Sequence, residues 1–158
     1  MKKFVAAIAI ITSIMASCQS DDKKYTTVDS TIMSEQQGDY KAPDECFTYK
    51  DKDGGTASLV IYGTGSNKVL GKLNYILAGK DRNDGQFYGF MKGDTIIVDY
   101  KFESEGVFSN RQVVWLRQGD KILEGYGDVY EANGNVKFKN IKKLTFGKSI
   151  IFEKTDCK

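Results

Sequence analysis

Short runs of alternating apolar and polar residues, separated by glycine-containing turns, fill the chain from residue 44 onwards. The turns fall at residues 53–55, 83–85, 93–94, 119–120 and 133–134, and most are short enough to join sequence neighbours as antiparallel pairs. No long stretch has the 3.6-residue period of a helix. The pattern predicts strands over 45–50, 56–62, 68–78, 86–92, 94–103, 109–118, 121–131 and 148–154.

Eight strands in up-and-down order can close on themselves, which removes both exposed edges of the sheet. Alternation supports this, since Val69, Leu73 and Tyr75 share one face of their strand and Val98, Tyr100 and Phe102 share one face of theirs. We therefore predict an all-β fold, an eight-stranded antiparallel up-and-down meander that forms a small lipocalin-like or avidin-like barrel. The alternative is a β-sandwich. The barrel interior would be filled by side chains or would hold one small ligand.

The chain divides by composition into three parts, of which residues 44–158 form the β-barrel-like domain. In residues 1–17, Lys2 and Lys3 precede an apolar run that is too short to span a bilayer. Residues 18–43 are polar and show no sustained apolar period, which predicts a flexible tether, with a short helix over 28–37 as the alternative.

The apolar run ends in Ile-Met-Ala-Ser-Cys at residues 14–18, which resembles the lipobox of bacterial lipoproteins. The resemblance implies that residues 1–17 are a signal peptide, that Cys18 is lipidated after cleavage, and that the protein is held on a membrane by this N-terminal anchor. Gln19 follows the cysteine, so the aspartate that retains enterobacterial lipoproteins in the inner membrane is absent. The predicted location is the cell envelope, as an outer-membrane lipoprotein. The acidic stretch at 19–24 is similar to a surface-export signal, which leaves surface exposure open.

Charge argues against a nucleic-acid partner. Loss of Lys2 and Lys3 takes the side-chain net charge from +2 to zero. Residues 136–147 interleave lysines with apolar residues, which can bind nucleic acid or anionic lipid, but a strand or helical turn across one end of the barrel is the favoured interpretation. The expected protein is a monomer.

Two further cysteines, Cys46 and Cys157, flank the predicted domain. The first and last strands of a closed barrel are neighbours, and an extracytoplasmic compartment permits oxidation, so we predict a disulfide between them. Free buried thiols or a metal pair are the alternatives, although the chain has no histidine to complete a metal site.

The lack of histidine also excludes Ser-His-Asp and Cys-His catalysis. A carboxylate pair could still act as acid and base, but no spacing singles out two carboxylates. The acidic turns at 51–54 and 81–85 lack the ligand spacing of a calcium loop. We therefore expect a protein that is not an enzyme and that has no metal and no cofactor.

One inward-facing cation stands out. If Val113 and Trp115 point into the barrel, the same parity directs Arg111 inward, where it needs a carboxylate such as Glu124 or Glu105. Such a pair would either fix strand register or form the polar end of a ligand cavity. The candidate ligand-binding residues are Tyr100, Glu105, Arg111, Trp115, Glu124 and Tyr126.

Several of these residues carry a family resemblance. The segments 85–89, 93–94, 99–100, 104–106, Arg111, 124–127 and 156–157 resemble small flavobacterial lipoproteins of the Bacteroidota, a group with no assigned activity. The resemblance implies lineage and export, and no mechanism. The predicted function is a non-catalytic binding module for a small apolar or amphipathic molecule or a glycan. The alternatives are an interaction lipoprotein with a filled barrel and a protein partner, and a carboxylate hydrolase.

Overall fold

The computed structural model describes residues 44–63 and 67–157. The predicted signal peptide, the lipidation of Cys18 and the tether lie outside these ranges. None of the described residues forms a helix long and apolar enough to cross a membrane. The elements in the described ranges are β1 (Glu45–Lys50), β2 (Thr56–Gly63), β3 (Lys68–Ile76), β4 (Asn83–Lys92), β5 (Thr95–Ser104), β6 (Val107–Gln118), β7 (Lys121–Glu124), β8 (Val129–Ala132), β9 (Asn135–Phe138), a 3-10 helix (Ile141–Lys143) and β10 (Ile151–Thr155).

Eight of these strands form a closed antiparallel barrel. Strands β1 to β7 pair in sequence order, and β10 completes the ring between β7 and β1. Cys46 lies opposite Thr155 on one side of β10, and Ile122 lies opposite Phe152 on the other. The predicted up-and-down barrel is thus confirmed, because the sheet has no open break that would divide it into the two layers of a sandwich.

The predicted strand over 121–131 is wrong in its extent. Strand β7 ends at Glu124, and the chain then leaves the barrel before β8 and β9 form a separate hairpin. A Cβ added at Gly125 would lie 2.9 Å from Phe146, and one added at Gly127 would lie 2.7 Å from Leu144. The two glycines therefore let the backbone pass against side chains of the later segment, a tertiary contact that alternation cannot reveal. Strand β9 then pairs in parallel with β6.

The middle of the barrel is filled. Inward side chains from every strand of the ring are buried, and the Phe87 and Trp115 rings meet edge to face with centroids 5.1 Å apart. The largest fully buried side chains are Trp115, Tyr100, Phe47, Phe152, Leu59, Leu73, Ile96, Ile122, Val98 and Val114. A ligand can therefore occupy only an end of the barrel, not its centre.

One end of the barrel carries a group of ion-paired side chains. Both terminal nitrogens of Arg117 donate to the carboxylate of Glu45, and Nζ of Lys154 lies 3.2 Å from the same group. The hydrogen bond from Arg117 holds the pKa of Glu45 below its usual value. Next to this end, Cys46 and Cys157 form the predicted disulfide, with Cα atoms 5.2 Å apart. This bridge is confirmed.

Candidate functional site

The opposite end of the barrel opens into a cavity of about 510 Å³. It forms because β7 stops at Glu124 while β6 begins at Val107 and extends well past the end of β7, so the β8–β9 hairpin takes the place of the missing wall. The Gln112 side chain accepts a hydrogen bond from the Phe138 backbone and fixes this hairpin to β6. The cavity has apolar walls made by Leu77, Val113, Val129, Val136, Phe138 and Ile150, and its charged lining residues are Lys80, Asp81, Arg111 and Glu124.

Arg111 stands among aromatic rings at the base of this cavity. Its Cζ lies 5.2 Å from the ring centroid of Tyr75, 5.5 Å from that of Tyr100 and 5.2 Å from that of Phe102. Rings at these distances stabilise a cation through their negative faces. They also hold the side chain in place, since Tyr100 and Phe102 are themselves stacked. Arg111 is consequently fixed by packing.

Glu124 faces Arg111 across the site. Its Oε2 accepts a hydrogen bond of 2.6 Å from the Tyr75 hydroxyl. Trp115 lies opposite Glu124 on the neighbouring strand, where its indole favours the carboxylate form, although Nε1 meets no acceptor with hydrogen-bond geometry in the described ranges. Tyr100 donates instead to the backbone carbonyl of Leu73, 2.8 Å away. The two buried tyrosines thus donate to different acceptors, Tyr75 to the Glu124 carboxylate and Tyr100 to the backbone.

Burial sets the protonation behaviour of this group. Desolvation raises the pKa of Glu124, against the opposing effects of the Tyr75 hydrogen bond and the positive charge of Arg111. Desolvation also raises the pKa of Tyr75 and of Tyr100, so both phenols remain neutral hydrogen-bond donors. Glu124 is therefore the carboxyl in this group that takes up a proton more readily than an ordinary glutamate.

Glu124→Gln should make the folded protein more stable at about pH 7. When folding raises the pKa of a carboxyl, the ionised form of that carboxyl destabilises the folded protein. The stability that the neutral form contributes is complete below the ordinary pKa of 4.5 and is lost as the pH rises through the pKa of the folded state. Glutamine has no charge to desolvate and keeps an oxygen that can accept from Tyr75. Urea unfolding followed by Trp115 fluorescence should show a higher midpoint for the variant near pH 7, with the gap closing near pH 4. The exposed Glu103→Gln should show no such gap, and a Glu124→Gln protein that is less stable at neutral pH would contradict this expectation.

The structure places the predicted site residues in three different settings. Arg111 and Glu124 line the cavity, while Tyr100 and Trp115 lie fully buried beneath it. Tyr126 lines the cavity at its rim and is 71% exposed. Glu124 and Glu105 were the predicted ion-pair partners of Arg111. Neither forms an ion pair with it in the described part of the chain.

Glu105 does not belong with the others. It occupies the β5–β6 turn with a φ of 50°, and it lines a separate, more open depression with Arg82, Asp84 and Glu103. A two-residue turn carries its side chains outside the barrel, so the proximity of Glu105 to Arg111 in sequence does not become contact.

Sequence reasoning missed Tyr75 and Phe102 as members of the site. Both were placed on inward faces. The contact of Tyr75 with Arg111 depends on which strands face each other across the barrel, whereas Phe102 lies on β5, which pairs with the strand of Arg111. The hairpin residues Val136 and Phe138 were also missed, because their approach to the cavity follows from the parallel pairing of β9 with β6. An inward tyrosine near the end of its strand, as Tyr75 is in β3, was the one available signal.

No family model, curated protein or solved structure matches this chain. Among the described residues no group of three cysteine, aspartate or glutamate side chains could hold a metal ion.

Proposed function

We propose that this protein is an envelope lipoprotein that binds a small amphipathic molecule in the cavity at the open end of its barrel. The observation that carries the proposal is the combination of an apolar wall with a fixed polar base in one concave site of about 510 Å³. Small-molecule sites typically have this volume and this mixture of apolar lining with a few placed polar groups. The filled centre restricts the ligand to the end of the barrel.

The proposed location follows from the N-terminal sequence. The lipobox resemblance at residues 14–18 supports an anchor on Cys18, and several acyl chains hold a protein durably on a membrane. The bridge between Cys46 and Cys157 supports export, since disulfides persist mainly in oxidising compartments. The lipobox resemblance supports an anchor in the envelope, and Gln19 favours the outer membrane.

A second candidate function rests on a different surface. Val107 is 63% exposed and Phe108 is 69% exposed, and the two follow each other at the start of β6, where alternation directs them to opposite faces of the hairpin. Large apolar side chains exposed on both faces of one hairpin favour a protein partner. Together with the filled centre, they support an interaction lipoprotein whose binding surface is the β5–β6 hairpin.

One pair of mass measurements tests these proposals on the full-length protein extracted from its own host's membranes. Under denaturing conditions we expect a chain that lacks residues 1–17 and carries acyl groups on Cys18. Under native conditions we expect an additional small mass that is lost on denaturation. An unprocessed N-terminus would refute the anchor, and a native mass without an adduct, even after membrane extract is added back, would refute the ligand. A bound protein subunit in place of a small molecule would favour the second candidate.

A further inference from the structure

Arg111 has no anionic partner in the part of the chain that the structure describes. It forms no ion pair or hydrogen bond there, and its Nε is buried without an acceptor. The three aromatic rings attract its charge through their faces but offer no acceptor to the N–H groups, which lie in the plane of the guanidinium. A fixed cation with unused donors lines the cavity.

A second arginine on the same strand, Arg117, has a carboxylate partner within the barrel. Arg117 lies six positions further along β6, on the same inward face, and packs over the Phe47 ring at 5.9 Å. Its Nε is buried without an acceptor, as in Arg111, but unlike Arg111 it donates from both terminal nitrogens to Glu45. The arginines at the two ends of the barrel therefore differ. The terminal nitrogens of Arg117 are paired with a carboxylate, and in the described ranges those of Arg111, at the open end, are not.

Glu124 does not take that role for Arg111. Its Oε2 accepts from Tyr75, and it lies beyond ion-pair distance of the guanidinium. Burial favours its neutral form, in which it can donate a hydrogen bond to an anion instead of repelling it. The site thus favours an anionic ligand over a cationic one.

The charges that line the cavity limit the ligand to one negative group. With Glu124 in the neutral form that burial favours, Arg111 and Lys80 exceed Asp81 by one positive charge, which suits one negative group and is too little for a doubly charged phosphate. A planar carboxylate matches the paired donors of one guanidinium. The walls made by Val113, Phe138 and Ile150 provide a surface for the apolar part of the same molecule.

We propose that the cavity binds a small amphipathic monocarboxylate, with the carboxylate on Arg111 and the apolar part against the walls. This inference rests on the proposed function, because it assumes that the cavity is a ligand site and adds the chemical class of the ligand. It assigns Arg111 the recognition of the headgroup. It assigns Glu124 a modulating role, in which its ionised form weakens binding.

Calorimetric titration of the full-length protein in nanodiscs tests the class of the ligand, with empty nanodiscs as the blank for partitioning. The probes are hexanoate, hexanol, hexylamine and hexyl phosphate, which share one chain and differ in the headgroup. At about pH 7 we expect hexanoate to bind most tightly, with hexanol weaker by about tenfold to a hundredfold, the contribution of a charge-assisted pair of hydrogen bonds.

Variants assign the effect to the two charged residues. Arg111→Ala should weaken the binding of hexanoate by about tenfold to a hundredfold and leave the binding of hexanol unchanged. The affinity of Arg111→Lys for hexanoate should lie between those of Arg111→Ala and the wild type. Glu124→Gln should tighten hexanoate and leave hexanol unchanged. Arg82→Ala is the matched control, since it removes one positive charge from an exposed pair with Asp84 outside the cavity. Circular dichroism of each variant checks that it is folded.

The outcomes separate this inference from the proposed function. If hexanol binds as tightly as hexanoate and Arg111→Ala weakens neither, the carboxylate class is wrong while the cavity remains a ligand site. Preference for hexylamine or hexyl phosphate overturns the inference in the same way. If no probe binds while the native mass carries an adduct of another class, the inference fails alone. If no probe binds and the native mass carries no adduct, both fail.

Discussion

Replacing both Cys46 and Cys157 with alanine should lower the free energy of unfolding by about 4–5 kcal/mol, which is a large part of the stability of an ordinary domain. The bridge joins residues 111 positions apart, so without it the unfolded chain gains the entropy of a very long loop. In a domain of this length the loss corresponds to a fall of roughly 15–20 °C in the melting temperature. Urea and thermal unfolding followed by Trp115 fluorescence measure both quantities.

Reductant provides the control for this effect. Reduced wild-type protein should unfold as the double variant does, and reductant should not change the double variant further. Single replacements leave a free thiol that can form intermolecular bridges, so the double variant is the one to compare. A double variant whose stability lies within about 1 kcal/mol of the oxidised wild type would show that the bridge does not restrain the unfolded chain as the entropic account requires.

Phe152→Ala should cost about 3–5 kcal/mol, the usual range for removing a buried phenylalanine from a close-packed core. The side chain is fully buried in β10, pairs in register with Ile122 and lies 6.5 Å, ring to ring, from Tyr75. Because β10 is the strand that completes the ring, the variant weakens the closure as well as the core. The sole tryptophan, Trp115, remains in place to report unfolding.

Phe108→Ala is the matched control for the core variant. It removes the same side chain from a strand of the same barrel, but from a position that is 69% exposed. We expect a change within about 0.5 kcal/mol there. Equal losses from the two variants would mean that burial in the core does not determine the stability of this domain.

The ring of strands was predictable from the sequence because each hairpin is a local event. Alternation in residues 69–77 and 96–102 reports which face meets the core, and dipeptides such as Asn133-Gly134, which adopt φ values of 53° and 73°, report where the chain reverses. The disulfide followed from the same logic, since closure brings the first and last strands together.

The open end was less predictable because it depends on contacts between segments that are distant in sequence. The residues after Glu124 carry an alternating pattern that reads as one strand, yet the packing of Gly125 and Gly127 against Leu144 and Phe146 ends it. The direction of Arg111 could be inferred from parity. Its contact with Tyr75 could not, because parity fixes the face of a strand and does not say which strand lies across the barrel, whereas Tyr100 is the cross-strand partner of Arg111 in the β5–β6 hairpin.

The position of β10 also determines when this domain can fold during its synthesis. The strand that completes the ring comes from Ile151–Thr155, after the hairpin and the 3-10 helix, and it must insert between β7 and β1. A nascent chain that still lacks these residues leaves β1 and β7 with unpaired edges and cannot bury Phe152. Domains dominated by such long-range pairs fold slowly. The barrel therefore closes only after the residues of β10 have left the ribosome.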